Sequence, residues 1–204
     1  MILPSAGAEL EAEVSAPKKN SAPFLVLAHP HPQMGGDMHN KVIDTLFTRA
    51  IEKGWGALRF NFRGVGASSG TFDNGAGETD DVLSALLFAS KFAERPYRTL
   101  TLAGYSFGSW MAAKAAATLP ELGKLVLIAP PLRGMDFSPL QTVRHPKYVF
   151  AAGKDEFVSV AELEAWFAQL TPPKSLHLLE EADHQFIGCT SRLIRDVLRV
   201  VDAS

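Results

Sequence analysis

Gly104-Tyr105-Ser106-Phe107-Gly108 sets a hydroxyl between two glycines, where the apolar run from Thr99 to Tyr105 gives way to an alanine-rich stretch, Ser109 to Leu119, stopped by Pro120. The run reads as a short buried strand and the stretch after it as a helix. A turn tight enough to join them has no room for side chains on either flank of the serine, so glycine is needed at both. Such a turn lifts the hydroxyl clear of the sheet. It also aims the backbone N–H of Phe107, one of the unpaired donors at the head of a helix, at the place where negative charge would build on a substrate carbonyl oxygen. One turn would then supply a nucleophile and half of an oxyanion hole. The plainer role for Ser106 is to cap the helix, a task for which serine is well suited.

A serine hydroxyl is a weak nucleophile until a base accepts its proton, and a third group has to hold that base. Downstream of Ser106 the chain offers three histidines, His145, His177 and His184. His145 stands before Pro146 at the start of a strand, the wrong end of the sheet, and His177 lies within the last strand. His184 alone falls in a loop that follows a strand's carboxyl end. The carboxylates to consider are Asp136, Asp155, Glu156 and Asp183. Asp183 adjoins His184, which makes a well-aligned bond to that ring awkward, and Glu156 is expected to face water. Asp155, just past a buried strand, is the first choice and Asp136, in a proline-flanked loop, the second.

The elements that must hold these groups alternate along the chain. Residues 9–14 alternate polar and apolar like a strand with one wet face, and Phe24 to Ala28 is continuously apolar, as a central strand is. Val42 to Ile51 has helical spacing closed by Gly54, Gly56 to Phe62 is a strand, and Asp80 to Phe92 is a helix with Glu78 and Thr79 near its start as capping residues. Beyond the serine turn come strands at Lys124 to Ala129 and Lys147 to Ala152, a helix at Glu162 to Leu170, a strand at Ser175 to Leu179 and a helix at Ser191 to Val201. This order implies an α/β fold, one domain over residues 1–204, with a mostly parallel twisted sheet covered by helices on both faces. Sites in such sheets form at the carboxyl ends of strands, which selects the loops after Ala28, Phe62, Tyr105 and Ala152.

A chain of 204 residues, 47% hydrophobic and 21% charged, has the profile of a globular protein with one sizeable core. A net charge of −2 gives no electrostatic case for nucleic acid or an anionic membrane as partner. One cysteine, Cys189, excludes an internal disulfide, and its place near the start of the last helix suggests inert packing. Met1 to Ser5 is too short for the apolar core of a secretion signal, and Glu9, Glu11 and Glu13 follow it; no apolar run approaches the roughly 20 residues of a spanning helix. The expectation is a cytoplasmic protein.

Two further motifs carry sharper readings. His29, His31 and His39 with Asp37 could ligate zinc, but a His-x-His pair on a loop lacks the closed set that zinc requires. Gly64-Val65-Gly66 invites a dinucleotide site, yet the third glycine comes at Gly70 and no helix starts there. No metal and no cofactor is expected.

The segments His29 to Gly36, Arg59 to Ser68, Gly104 to Gly108, Gly153-Lys154-Asp155 and Asp183-His184 together resemble the small, lidless bacterial α/β-hydrolases, relatives of the carboxylesterases and dienelactone hydrolases. The resemblance implies a triad of Ser106, Asp155 and His184 in that chain order, acting on a small acyl substrate. It also implies that the loop after Ala28 supplies the second oxyanion donor. Prolines cannot donate, so His31 is the first choice and Gln33 the fallback; the common His-Gly of these enzymes is His29-Pro30 here. Only 17 residues separate Ala129 from Lys147, too few for a cap domain. An uncapped site shields an acyl chain poorly, so short-chain esters or thioesters are expected, with Phe62, Phe107 and Trp110 as candidate walls. The alternatives are a non-catalytic binding protein that kept the fold, or a peptidase or acyltransferase using the same groups.

Overall fold

The computed structural model describes residues 1–203. Strands β1 (Ile2–Ser5), β2 (Ala8–Ser15), β3 (Phe24–Ala28), β4 (Gly56–Phe60), β5 (Leu100–Tyr105), β6 (Lys124–Ile128), β7 (Lys147–Ala152) and β8 (Lys174–Leu179) form one sheet in the order β1-β2-β4-β3-β5-β6-β7-β8. β2 runs antiparallel to both β1 and β4, and every later pair is parallel. The helices are α1 (Lys41–Glu52), α2 (Gly77–Phe92), α3 (Phe107–Thr118), α4 (Val160–Gln169) and α5 (Thr190–Asp202).

Two cores result, one on each face. Leu102 of β5 faces α2 and α3 among Val82, Leu86, Met111 and Leu125, while its neighbour Ala103 faces α1 and α5 among Ile43, Leu46, Leu193 and Val197. That alternation is the period of two of a strand, and burial on both faces explains why β3, β4 and β5 are apolar almost throughout. Each large aliphatic side chain so buried contributes about 1.5–3 kcal/mol.

Register brings the candidate loops together. Ala28 pairs with Gly104, so the loop after β3 lies beside the turn after β5. Ala152 pairs with Leu179, so the loops carrying Asp155 and His184 are neighbours too. Between β6 and β7 the chain forms only a short 3₁₀ turn at Ser138–Gln141, with no cap over the sheet. Among the described residues no helix is long and apolar enough to cross a membrane.

The structure departs from the expected elements in several places, among them β4, which ends at Phe60 rather than Phe62. Ile2–Ser5, read only as too short for a signal, is an edge strand held by buried Leu3 and by the Ser5 hydroxyl donating to Asp81 Oδ1 at 2.7 Å. α2 starts at Gly77, three residues early, where Glu78 turns inward and accepts from the N–H groups of Asp73 and Gly75. The glycine-rich loop after β4 is structural: Arg63 forms a buried bidentate pair with Asp81, at 2.7 and 3.1 Å, that ties this loop to α2. Gly77 is the residue that leaves space for the guanidinium, since a Cβ there would lie 1.8 Å from Arg63 Nη1.

Candidate active site

Ser106 occupies a backbone conformation with φ 51° and ψ −120°, a left-handed strain that costs a non-glycine residue about 1–3 kcal/mol. Its flanking glycines are obligatory. A Cβ on Gly104 would stand 2.1 Å from the Gly108 carbonyl oxygen, and one on Gly108 would stand 2.3 Å from that of Ala28. α3 begins at Phe107, two residues before the expected Ser109. Ser106 makes no side-chain cap; its N–H donates to Ile128 O at 2.8 Å, and the Ser109 hydroxyl donates to its carbonyl at 2.6 Å.

The Ser106 hydroxyl lies 2.9 Å from His184 Nε2, and His184 Nδ1 lies 2.8 Å from Asp155 Oδ2. An ionised carboxylate only accepts, so Nδ1 carries the ring hydrogen and Nε2 is left to accept from the serine. Both side chains are nearly shielded from water, at 9% and 5% exposed. Asp155 is fixed in turn because its Oδ1 accepts from the N–H of Phe157 at 2.8 Å. Phe157 packs edge-on against the imidazole, with ring centroids 4.6 Å apart. The His184 backbone is held from both sides: its N–H donates to Glu156 Oε2 at 3.3 Å and its carbonyl accepts from the Tyr105 hydroxyl at 3.0 Å.

The other candidates lie elsewhere. His145 Nε2 donates to carbonyls at the end of α3, and the His177 ring stacks on Phe150 with centroids 4.5 Å apart. Asp136 accepts from the N–H of Ser138 at 2.8 Å on an exposed loop, and Asp183 accepts from that of Ile187 at 2.9 Å. Cys189 precedes α5 and packs partly buried on the second core.

In the loop after β3 the backbone donors can be counted off. Pro32 has none; Gln33 donates to the His31 ring, Met34 and Gly36 to the His31 carbonyl, and Gly35 to that of Pro32. The N–H of His31 has no acceptor among the described residues, and neither does that of Phe107. His29 beneath is wholly buried, with Nδ1–H donating to Pro30 O at 2.7 Å and Nε2 accepting from the Phe62 N–H at 3.0 Å. Both its nitrogens are therefore committed, which removes it from any ligand set. Among the described residues no group of three or more His, Cys, Asp and Glu is arranged to hold a metal ion.

Burial pushes the His29 imidazole down to about 4, against a smaller opposing effect of the Pro30 carbonyl. The unfolded chain takes up that proton near pH 6.5, so it binds more protons than the native state between about pH 6.5 and 4. The stabilisation from neutral His29 is thus whole above about pH 6.5 and is lost as pH falls through about 4. Lowering the pH from about 7 to about 5 should cost about 2 kcal/mol from this group. Urea melts of wild type and His29→Gln at the two pH values check it, the variant losing that much less; equal losses would contradict it.

A cavity of about 470 Å³ opens over Ser106 and His184. Its apolar lining comes from Met34, Tyr105, Pro131, Met135 and Phe157, and Asn40, Arg133, Glu156 and Gln185 supply polar groups. None of the three expected walls is among them; the Phe107 ring is buried, edge-on to both Phe62 and Trp110. Phe62 is fully buried beneath the His29 loop, edge-on to His29 at 4.7 Å and to Phe107 at 5.6 Å. Trp110 donates from Nε1 to Asp136 O at 2.9 Å and packs against the outer side of Phe107. Both pack against Phe107 beneath the Ser106 turn instead of lining the cavity. Glu156, expected to face water, is exposed, and it also borders the cavity.

The sequence profile described as "Alpha/beta hydrolase domain" matches residues 21–192. RP471, an uncharacterised protein of Rickettsia prowazekii, is 31% identical over 206 residues, covering 96% of this chain and 86% of its own. Among solved structures, a protein of unknown function from Agrobacterium tumefaciens superimposes with a TM-score of 0.91 at 31% identity, over 99% of this chain and 94% of that one. An alpha-beta serine hydrolase homologue from Coxiella burnetii gives 0.88 at 32% identity over 98% and 95%. XC6422 from Xanthomonas campestris, described as a serine hydrolase without a lid, gives 0.85 at 31% over 100% and 95%.

Proposed function

The chain belongs to the alpha/beta hydrolase family, and from that premise we propose that it is a serine hydrolase cleaving short-chain carboxylic esters or thioesters through an acyl-enzyme, the whole chain acting as one catalytic domain. The observation that carries this reading is the continuous hydrogen-bonded line from Ser106 through His184 to Asp155. Ser106 Oγ attacks the substrate carbonyl while His184 Nε2 takes its proton, and Asp155 stabilises the imidazolium that forms. The negative charge that develops on the carbonyl oxygen is met by the N–H groups of Phe107 and His31, both already free of other acceptors. Collapse of the tetrahedral adduct breaks the bond to the alcohol or thiol, which leaves with the proton from His184. Water then repeats the sequence on the acyl-enzyme, and its proton returns through His184 to Ser106.

The size of the substrate follows from the open cavity. Each methylene that passes from water into an apolar pocket contributes about 0.8 kcal/mol, close to a fourfold gain in affinity. With no cap, carbons beyond the reach of Met34, Met135 and Phe157 stay in water and add little. In a series of 4-nitrophenyl esters, kcat/KM should rise over the first few acyl carbons and then level or fall. A continued several-fold rise per methylene into long chains would contradict the assignment.

A further inference from the structure

The proposed base and nucleophile sit at opposite ends of half the sheet. Ser106 follows β5 and His184 follows β8, with β6 and β7 between them, so the hydrogen-bond ladder does not couple the two directly. Three inter-strand steps amount to about 14 Å, which the His184 loop must bridge and hold. One side chain makes that link from the nucleophile's own strand. Tyr105 is the last residue of β5 and precedes Ser106; it is 4% exposed, and its hydroxyl donates to the His184 carbonyl across 79 positions of sequence.

From this, and resting on the serine-hydrolase reading above, we infer that Tyr105 is a positioning residue that sets the distance between His184 and Ser106. The contacts form a closed ring: the Tyr105–Ser106 peptide, the bond from Ser106 Oγ to His184 Nε2, the His184 residue itself, and its carbonyl back to the Tyr105 hydroxyl. Without the hydroxyl bond, the base keeps only the Glu156 carboxylate, 3.3 Å away on an exposed side chain, on its backbone. The phenol remains a donor at working pH, because burial and then the charges of Asp155, Asp183 and Glu156 hold its pKa above the ordinary value. The role is separate from substrate binding: it acts through the base.

Displacement of a reacting group by about 1 Å can cost up to 10²-fold in rate, so loss of one of two backbone ties is expected to lower kcat about tenfold. The test is Tyr105→Phe in the full chain, assayed well below its Tm on a neutral short-chain ester and, separately, by the rate of labelling with a fluorophosphonate. The expected result is a kcat and a labelling rate each about tenfold lower, with KM within about twofold of wild type. Ser68→Ala is the control: it deletes another buried hydroxyl-to-carbonyl bond, 2.8 Å to Asn61 O, together with the bond that hydroxyl accepts from the Glu11 N–H, away from the proposed triad, and should lower Tm while leaving both rates unchanged. Wild-type rates in Tyr105→Phe, a rise in KM alone, or a parallel loss of rate in Ser68→Ala would each overturn the role. A wild type that neither turns over the ester nor takes the label removes the serine-hydrolase reading and this role with it. An active wild type beside an equally active Tyr105→Phe removes this role alone.

Discussion

Ser106→Ala is expected to lower kcat by on the order of 10⁴- to 10⁶-fold, the loss that follows when a triad nucleophile is removed. The residual rate would come from the two free N–H donors and from substrate binding, which survive the change. Stability should barely move. Alanine suffers the same left-handed strain as serine at φ 51°, and the hydroxyl that disappears is bonded to His184 alone, with no part in capping α3. Turnover of a short-chain ester and a urea melt on the same preparation separate the two effects. A loss of less than about tenfold would place the nucleophile elsewhere, and a collapse of the urea midpoint would mean that Ser106 serves the fold.

Asp155→Asn should be almost as damaging, about 10⁴-fold in kcat, for a reason that the local hydrogen bonds dictate. Asp155 Oδ1 accepts from the Phe157 N–H, so an asparagine there keeps its carbonyl oxygen on that donor. Its NH₂ group is then turned toward His184 Nδ1, in the place of the oxygen that now accepts from the ring. Two donors cannot face each other, so the ring hydrogen moves to Nε2 and the imidazole can no longer accept from Ser106. Asp136→Asn, the parallel change at the other carboxylate considered, should leave kcat within about twofold, because Asp136 is engaged with Ser138 on an exposed loop. Comparison of the two variants on one substrate is decisive. Similar rates in both would remove Asp155 from its role.

Local pattern carried most of what could be read before the structure. The need for glycine at Gly104 has a steric cause that acts within a few residues, since a Cβ there would meet the Gly108 carbonyl, whereas at Gly108 the Cβ would meet the Ala28 carbonyl on the neighbouring strand. Alternation of strands and helices was likewise visible, because strands buried on both faces must be apolar throughout. Contacts that depend on register across the sheet were not. Phe62 stands beside the site in sequence, but its ring turns beneath the His29 loop, and nothing in a neighbouring residue announces which side of a strand end a side chain will take. The partner of the Tyr105 hydroxyl lies 79 positions away and is set by the packing of two loops. β1 was missed because four residues, one of them proline, give too short an alternation to stand out; buried Leu3 and the turn at Gly7, with φ 74°, were the available signals.

The loop after β3 lies between these cases. Its prolines excluded donors by chemistry alone, leaving His31 and Gln33, and the structure distinguishes the two by occupancy: the Gln33 N–H is turned onto the His31 ring at 3.2 Å while the His31 N–H has no protein acceptor. The oxyanion role proposed for His31 therefore depends on a rigid loop over a neutral, fully buried His29.

The most direct measurement is intact-mass analysis of the protein after reaction with a fluorophosphonate, followed by peptide mapping. A serine is phosphonylated by such a reagent only when a base withdraws its proton, so the account predicts a single adduct on Ser106 in wild type and none in Ser106→Ala. An unmodified wild type, or an adduct mapped to another residue, would contradict it.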